Sequence, residues 1–165
     1  MGHRVLYQSD DARGVHDLPQ GNCAVRLQPY SLHGSKQVKV LIAASEIFPL
    51  AKTGGLADAV GAMARALTDL GCEVHAVLPA YRVVFEGGAA LEETGVEVEI
   101  PLGERKVRGI ILRAKIAGRI PAYLVRGDAY FMRGGLYGDA KGAYEDNAER
   151  FVFFCKAALE AARRF

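Results

Sequence analysis

The stretch Ser45-Glu46-Ile47-Phe48-Pro49-Leu50-Ala51-Lys52-Thr53-Gly54-Gly55-Leu56-Ala57-Asp58 constrains this chain more than any other. Before it, Val38-Lys39-Val40-Leu41-Ile42-Ala43-Ala44 is a near-continuous apolar run, the pattern of a strand in a parallel sheet. After it, Leu56, Val60, Met63, Leu67 and Leu70 recur at helical spacing and predict one apolar face. Gly71 stands where a helix commonly ends in the left-handed conformation. A strand, a glycine turn and a helix in succession form the context in which an open α/β sheet binds phosphate.

Two physical effects favour an anion there. The first amides of a helix have no intrahelical acceptor, and the helix dipole adds partial positive charge at that end. Gly54 and Gly55 lack a Cβ, so a phosphate can approach the backbone and the turn can take a positive φ, while Lys52 adds a mobile full charge. The spacing is neither G-x-x-x-x-G-K-[ST] nor G-x-G-x-x-G. The plain alternative is a glycine turn beside a surface lysine.

A length of 165 residues suits one domain with a real core. The net charge of +2 gives no footing for a nucleic-acid partner. Cys23, Cys72 and Cys155 are too scattered for a disulfide framework or a zinc site and read as reduced thiols. His3, His16, His33 and His75 show no metal-ligand spacing. No apolar run has the roughly 18 residues of a membrane span, and the N-terminus lacks a signal-peptide core. The expected setting is cytoplasmic, with no membrane or nucleic-acid partner.

Residues 1–37 are punctuated by Gln, Ser, Asp, His, Gly and Pro without a lasting period, and read as a poorly ordered or non-native extension. From Val38 onward the elements alternate. The pattern predicts a strand at 38–44, a helix at 56–70, a strand at 73–78 stopped by Pro79, and strands near 96–102, 106–116 and 121–126. The segment from Arg108 to Lys115 has the look of an antiparallel hairpin partner. A glycine-rich loop at 133–143 leads to a helix at 145–165, with Phe151, Phe154, Ala158 and Ala162 as its apolar stripe, broadened by Cys155 and Leu159. Glu145, Asp146 and Glu149 open that helix, and Arg163 and Arg164 close it. The sum is an α/β, Rossmann-like layer with a mostly parallel sheet plus an antiparallel hairpin.

The run SEIFPLAKTGGLAD resembles the N-terminal signature of bacterial glycogen synthases and starch synthases. Companion segments follow in order. Gly71-Cys72-Glu73-Val74-His75-Ala76-Val77-Leu78-Pro79-Ala80-Tyr81 resembles the family's second strand, and Ala122-Tyr123-Leu124-Val125 a later one. Gly134-Gly135-Leu136-Tyr137-Gly138 and Asp146-Asn147-Ala148-Glu149-Arg150-Phe151 resemble the segment after that. The resemblance spans 38–165 and implies part of the N-terminal half of a two-domain GT-B glycosyltransferase.

That resemblance implies retaining transfer of glucose from ADP-glucose to the non-reducing end of an α-1,4-glucan such as glycogen, without a metal or other cofactor. By position it assigns Lys52, Gly54 and Gly55 to the donor diphosphate, and Asp58, Tyr137 and Asn147 to the acceptor sugar. Glu46 supports the cleft by lining it or orienting the loop. Ordinary structural roles remain open beside these. Asp58 suits a helix's first turn, Tyr137 a loop, and Asn147 a helix start, while Arg150 reads as an ion-pair partner of Asp146 or Glu149.

A two-domain enzyme of that kind needs more than about 300 residues. The 165 residues are therefore expected to be a truncated piece, inactive alone. The alternative is a stand-alone nucleotide-sugar or phosphate-binding module, and a third reading is an unrelated Rossmann-like binder.

Overall fold

The computed structural model describes residues 37–165. The reading of 1–37 lies, but for Gln37, outside the described residues, as do Cys23, His3, His16 and His33. The elements in order are β1 (Lys39–Ala43), α1 (Gly55–Asp69), β2 (Glu73–Pro79), α2 (Arg82–Glu86), β3 (Glu92–Leu102) and β4 (Arg105–Ile116). They continue with β5 (Ile120–Arg126), α3 (Asp128–Phe131), β6 (Gly138–Asp139), β7 (Gly142–Ala143) and α4 (Asn147–Ala162).

Five strands make one sheet in the order β1-β2-β5-β4-β3. β1 runs parallel to β2 and β2 to β5, with α1 as the first crossover. β4 is antiparallel to both β5 and β3. The expected α/β layer is present, with parallel strands on one side and a long hairpin on the other.

Several local expectations change. β3 starts at Glu92 rather than near 96, because an irregularity between Glu93 and Val96 carries the strand through the polar stretch. Gly95 takes a φ of +71°, and Thr94 Oγ1 donates to the Ile111 carbonyl at 2.6 Å while accepting from the Val96 amide at 3.1 Å. Pro79 is the last residue of β2, not the first beyond it. β1 is half exposed, with Lys39, Leu41 and Ala43 open, because among the described residues β2 is its one neighbour.

The buried face of α1 is formed by Ala57, Val60, Gly61 and Ala64, whereas Leu56, Met63 and Leu70 are exposed. Both sets repeat at helical spacing. The small residues win because the chain entering the helix passes close by: a Cβ on Gly61 would stand 3.0 Å from the Phe48 carbonyl oxygen. Gly71 ends the helix at φ +88°, as its position predicted.

In α4 the buried face is Arg150, Phe153, Phe154, Ala157, Ala158 and Ala161. Phe151 is half-buried, and Cys155, Leu159 and Ala162 are exposed. The helix spans Asn147–Ala162, shorter than expected, so Arg163 and Arg164 lie beyond it. Asp146 occupies the N-cap position without a side-chain capping bond, because its carboxylate is taken by Arg133. The glycine-rich loop contains the β6–β7 hairpin, where Cβ atoms on Gly135 and Gly138 would strike backbone oxygens of Gly138 and Gly142 at 2.1 and 2.2 Å.

Candidate functional site

The loop from Ser45 to Gly54 is pinned from below. Ile47 and Ala51 form an isolated bridge, the Ile47 amide donating to the Ala51 carbonyl at 3.1 Å, and the Phe48 amide donates to the Ala57 carbonyl at 3.1 Å. Ile47, Leu50 and Ala51 are buried in the core. Burying these three apolar side chains leaves Lys52, Thr53, Gly54 and Gly55 displayed at the start of α1.

Gly54 and Gly55 do not need glycine's positive φ. Gly54 is extended, at φ −155°, and neither glycine is among the positive-φ residues. Their significance is space: a Cβ built on either would meet nothing within 4 Å. α1 also begins without a side-chain cap, so among the described residues its first amides have no capping side-chain acceptor. Lys52 leans over this end of the helix, donating to Asp58 Oδ2 at 2.7 Å and lying 5.7 Å from the Phe48 ring centroid.

Glu46 orients the loop rather than presenting itself to solvent, being 3 % exposed. Its Oε2 accepts from the Thr53 amide at 2.6 Å and more distantly from the Gly54 amide at 3.4 Å. Its Oε1 accepts from the Thr53 hydroxyl at 2.6 Å and the Tyr137 hydroxyl at 2.7 Å. Burial alone would raise its pKa, but the hydrogen bonds from Thr53, Tyr137 and the two amides outweigh it and hold the group below the ordinary carboxylate value. The Gly54 amide, assigned to a donor phosphate on sequence grounds, thus already faces a protein carboxylate.

Tyr137 and Asn147 are likewise engaged within the protein. With its proton given to Glu46, the Tyr137 hydroxyl accepts from Ser45 Oγ at 2.8 Å. Burial and the neighbouring Glu46 charge push its pKa up to about 12 despite the Ser45 bond. Asn147 Nδ2 donates to the Tyr137 carbonyl at 2.8 Å, and its Oδ1 accepts from Arg150 at 2.5 Å.

Arg150 is not an ion-pair partner of Asp146 or Glu149. It is fully buried, donating to the carbonyls of Tyr130 at 2.8 Å and Leu136 at 3.0 Å, with its guanidinium 4.8 Å from the Tyr144 ring centroid. The carboxylates have other partners: Arg133 grips Asp146 with two bonds of 2.6 and 2.7 Å, and Glu149 takes Arg105 and the Tyr130 hydroxyl. The place of Arg150 on the helix period beside Phe153 and Phe154 was the sequence signal for its burial.

The described residues contain no group of three His, Cys, Asp or Glu side chains arranged to hold a metal, and no helix long and apolar enough to cross a membrane. Grooves of about 320, 440 and 420 Å³ lie at the β1 edge, beside α2 and along the hairpin. Lys52, Gly54 and Gly55 line none of these three, and the space beside both glycines is open.

Residues 39–165 match the family described as the starch synthase catalytic domain. A glycogen synthase of Geotalea uraniireducens is 39 % identical over 127 residues, covering 77 % of this chain and 26 % of that protein. Glycogen synthase 2 of Geobacter metallireducens is 40 % identical over the same length and shares. Among solved structures, the catalytic domain of starch synthase IV from Arabidopsis thaliana, bound to ADP and acarbose, superposes with a TM-score of 0.63 at 29 % identity. That match covers 79 % of this chain and 26 % of the other. The chain spans about a quarter of the length of the relatives it matches. It belongs to the starch synthase catalytic-domain family of glycosyltransferases.

Proposed function

We propose that this chain forms the wall of a glucan synthase cleft that receives the diphosphate of ADP-glucose, in an enzyme transferring glucose with retention to the non-reducing end of an α-1,4-glucan in the cytoplasm. The observation that carries this reading is the free space above Gly54 and Gly55 at an uncapped helix N-terminus, with the Lys52 ammonium beside it. As the glycosidic bond to the diphosphate breaks, negative charge grows on the leaving phosphate. Amides fixed by the fold and a nearby ammonium stabilise that charge without reorganising. In this reading they supply the positive charge that a metal ion would otherwise bring.

Asp58 stands one turn into α1 and faces the acceptor, its carboxylate shared between Lys52 and a sugar hydroxyl. Tyr137 offers its half-buried ring, since its hydroxyl is held by Glu46, and Asn147 shapes that side through the Tyr137 carbonyl. With a quarter of the relatives' length, the 165 residues alone are expected to bind donor without transferring glucose.

Calorimetry with ADP and ADP-glucose on the chain and on Lys52→Ala tests the reading. Binding that falls at least tenfold in the variant supports it, and equal binding by both proteins removes the loop from the donor site. Incorporation of labelled glucose into glycogen by the chain alone would refute the expectation of inactivity.

A further inference from the structure

Glu46 receives donors from two segments far apart in sequence. Thr53 reaches it seven residues away through both its amide and its hydroxyl, and Tyr137 reaches it from 91 residues away. The far segment is itself fixed. The Tyr137 carbonyl accepts from Asn147 Nδ2 and the Tyr144 amide, and Arg150 secures both Asn147 and the Leu136 carbonyl. A carboxylate 3 % exposed is costly unless its oxygens are satisfied. Among the described residues none of its hydrogen-bonding partners is a cation, so neutral donors from both segments must stay in place together.

We infer that Glu46 and Tyr137 are positioning residues that lock the Lys52–Gly55 loop to the 133–146 segment, so that each side of the site sets the shape of the other. This deepens the donor-site reading and rests on it for its functional meaning, though the link itself does not require a ligand. The chain of bonds runs from Arg150 and Asn147 through Tyr137 to Glu46, then to Thr53 beside Lys52. Among the described residues, the groups sharing these surroundings are the Ser45 and Thr53 hydroxyls, the Tyr137 phenol, the Arg150 guanidinium and the buried Tyr81 hydroxyl, which has no hydrogen-bond partner there. Releasing Tyr137 therefore loosens the grip on Thr53 without touching Thr53.

Amide NMR on the 165-residue chain tests the link. In the wild type the Thr53 amide resonance follows a titration with its midpoint below the ordinary glutamate value, and Glu46→Gln abolishes that response. In Tyr137→Phe the midpoint rises, and Thr53 exchanges with deuterated water about tenfold faster, while Val77 and Leu124 in the sheet keep their rates. If Tyr137→Phe leaves both the Thr53 midpoint and its exchange unchanged, the link is overturned. The two readings separate by ligand titration. ADP binding that weakens in Tyr137→Phe with Lys52 intact supports both. An intact Thr53 response with no ADP binding by the wild type sustains the link and overturns the donor-site reading alone.

Discussion

The ring of Phe153 lies so close to Gly109 that a Cβ on that glycine would stand 2.9 Å from its Cζ atom. The Arg126 carbonyl oxygen is equally near, so β4 can lie beside β5 and beneath α4 only with no side chain at this position. Gly127 is under the same constraint, its added Cβ falling 2.8 Å from the Phe153 ring. Gly109→Ala is expected to cost about 1–3 kcal/mol, the usual penalty for overpacking, read as a lower urea midpoint at unchanged slope.

Arg150→Met should destabilise more. It removes the donor from two buried carbonyls and from Asn147 Oδ1, and each bond to a charged group is worth about 1.5–3 kcal/mol. A loss of about 3 kcal/mol or more is expected in chemical denaturation. Arg150→Lys should recover only part, because an ammonium cannot spread its donors as a planar fork does.

Acid should weaken the fold through carboxylates that the folded state holds low, Glu46, Asp128 and Asp146 among them. Glu46 is held low by hydrogen bonds that outweigh burial, while the Arg126 and Arg133 side chains hold Asp128 and Asp146 low. A folded-state pKa below the unfolded one gives stability that is complete above the unfolded value and lost as pH falls through the folded value. The urea midpoint should therefore be flat above about pH 5 and decline below it. Glu46→Gln should start lower at neutral pH and decline less steeply.

Gly55→Ala separates folding from binding. Nothing stands within 4 Å of the new methyl, and alanine favours a helix start over glycine, so the melting temperature should hold or rise. Affinity for ADP should nonetheless fall, because the methyl occupies the space offered to a phosphate. Equal ADP affinity in this variant would place the phosphate elsewhere.

Asp58→Asn frees Lys52 from its 2.7 Å partner. Both side chains are about half exposed, so the pair contributes little to stability and the unfolding midpoint should not move. ADP should bind roughly two- to fivefold tighter, the scale of an exposed ion pair. Soluble glucan should bind more weakly, and affinity capillary electrophoresis reads both. Adding EDTA should leave ADP affinity as it was.

The outline of the fold was legible because its signals are local. The apolar run before Ser45, the glycine at 71 and the alternation through β4 report backbone geometry within a few residues. The packed faces were harder to read. Hydrophobicity selected Leu56, Met63 and Leu70, yet the closeness of Phe48 to Gly61 turned the small residues inward, and that distance is set by how the loop entering the helix folds back over it. The site divides in the same way. Lys52 and the two glycines stood out as anion-site candidates by type and spacing, whereas Asp58 entered as a candidate only through the family resemblance. The second attachment of Glu46 could not be read from sequence, because Tyr137 lies 91 residues away and meets it only through the tertiary fold. Arg150 read as an ion-pair partner of Asp146 or Glu149, and only the structure showed it buried beside Phe153 and Phe154.

β1 is supported along one side only among the described residues, and it carries the loop at its end. Mechanically the loop hangs from a beam clamped at a single edge, so the sheet cannot by itself hold the tip still. Stiffness comes instead from the loop's own anchors, the Ile47–Ala51 bridge and the buried Ile47, Leu50 and Ala51, and at the tip from Glu46, which gathers Thr53 and Tyr137. Amides of β1 should thus exchange faster than those of β2 and β5, while Thr53, farther out, exchanges more slowly than the strand that carries it. Rigidity in this part of the molecule is thus expected to increase from the strand toward the tip of its loop.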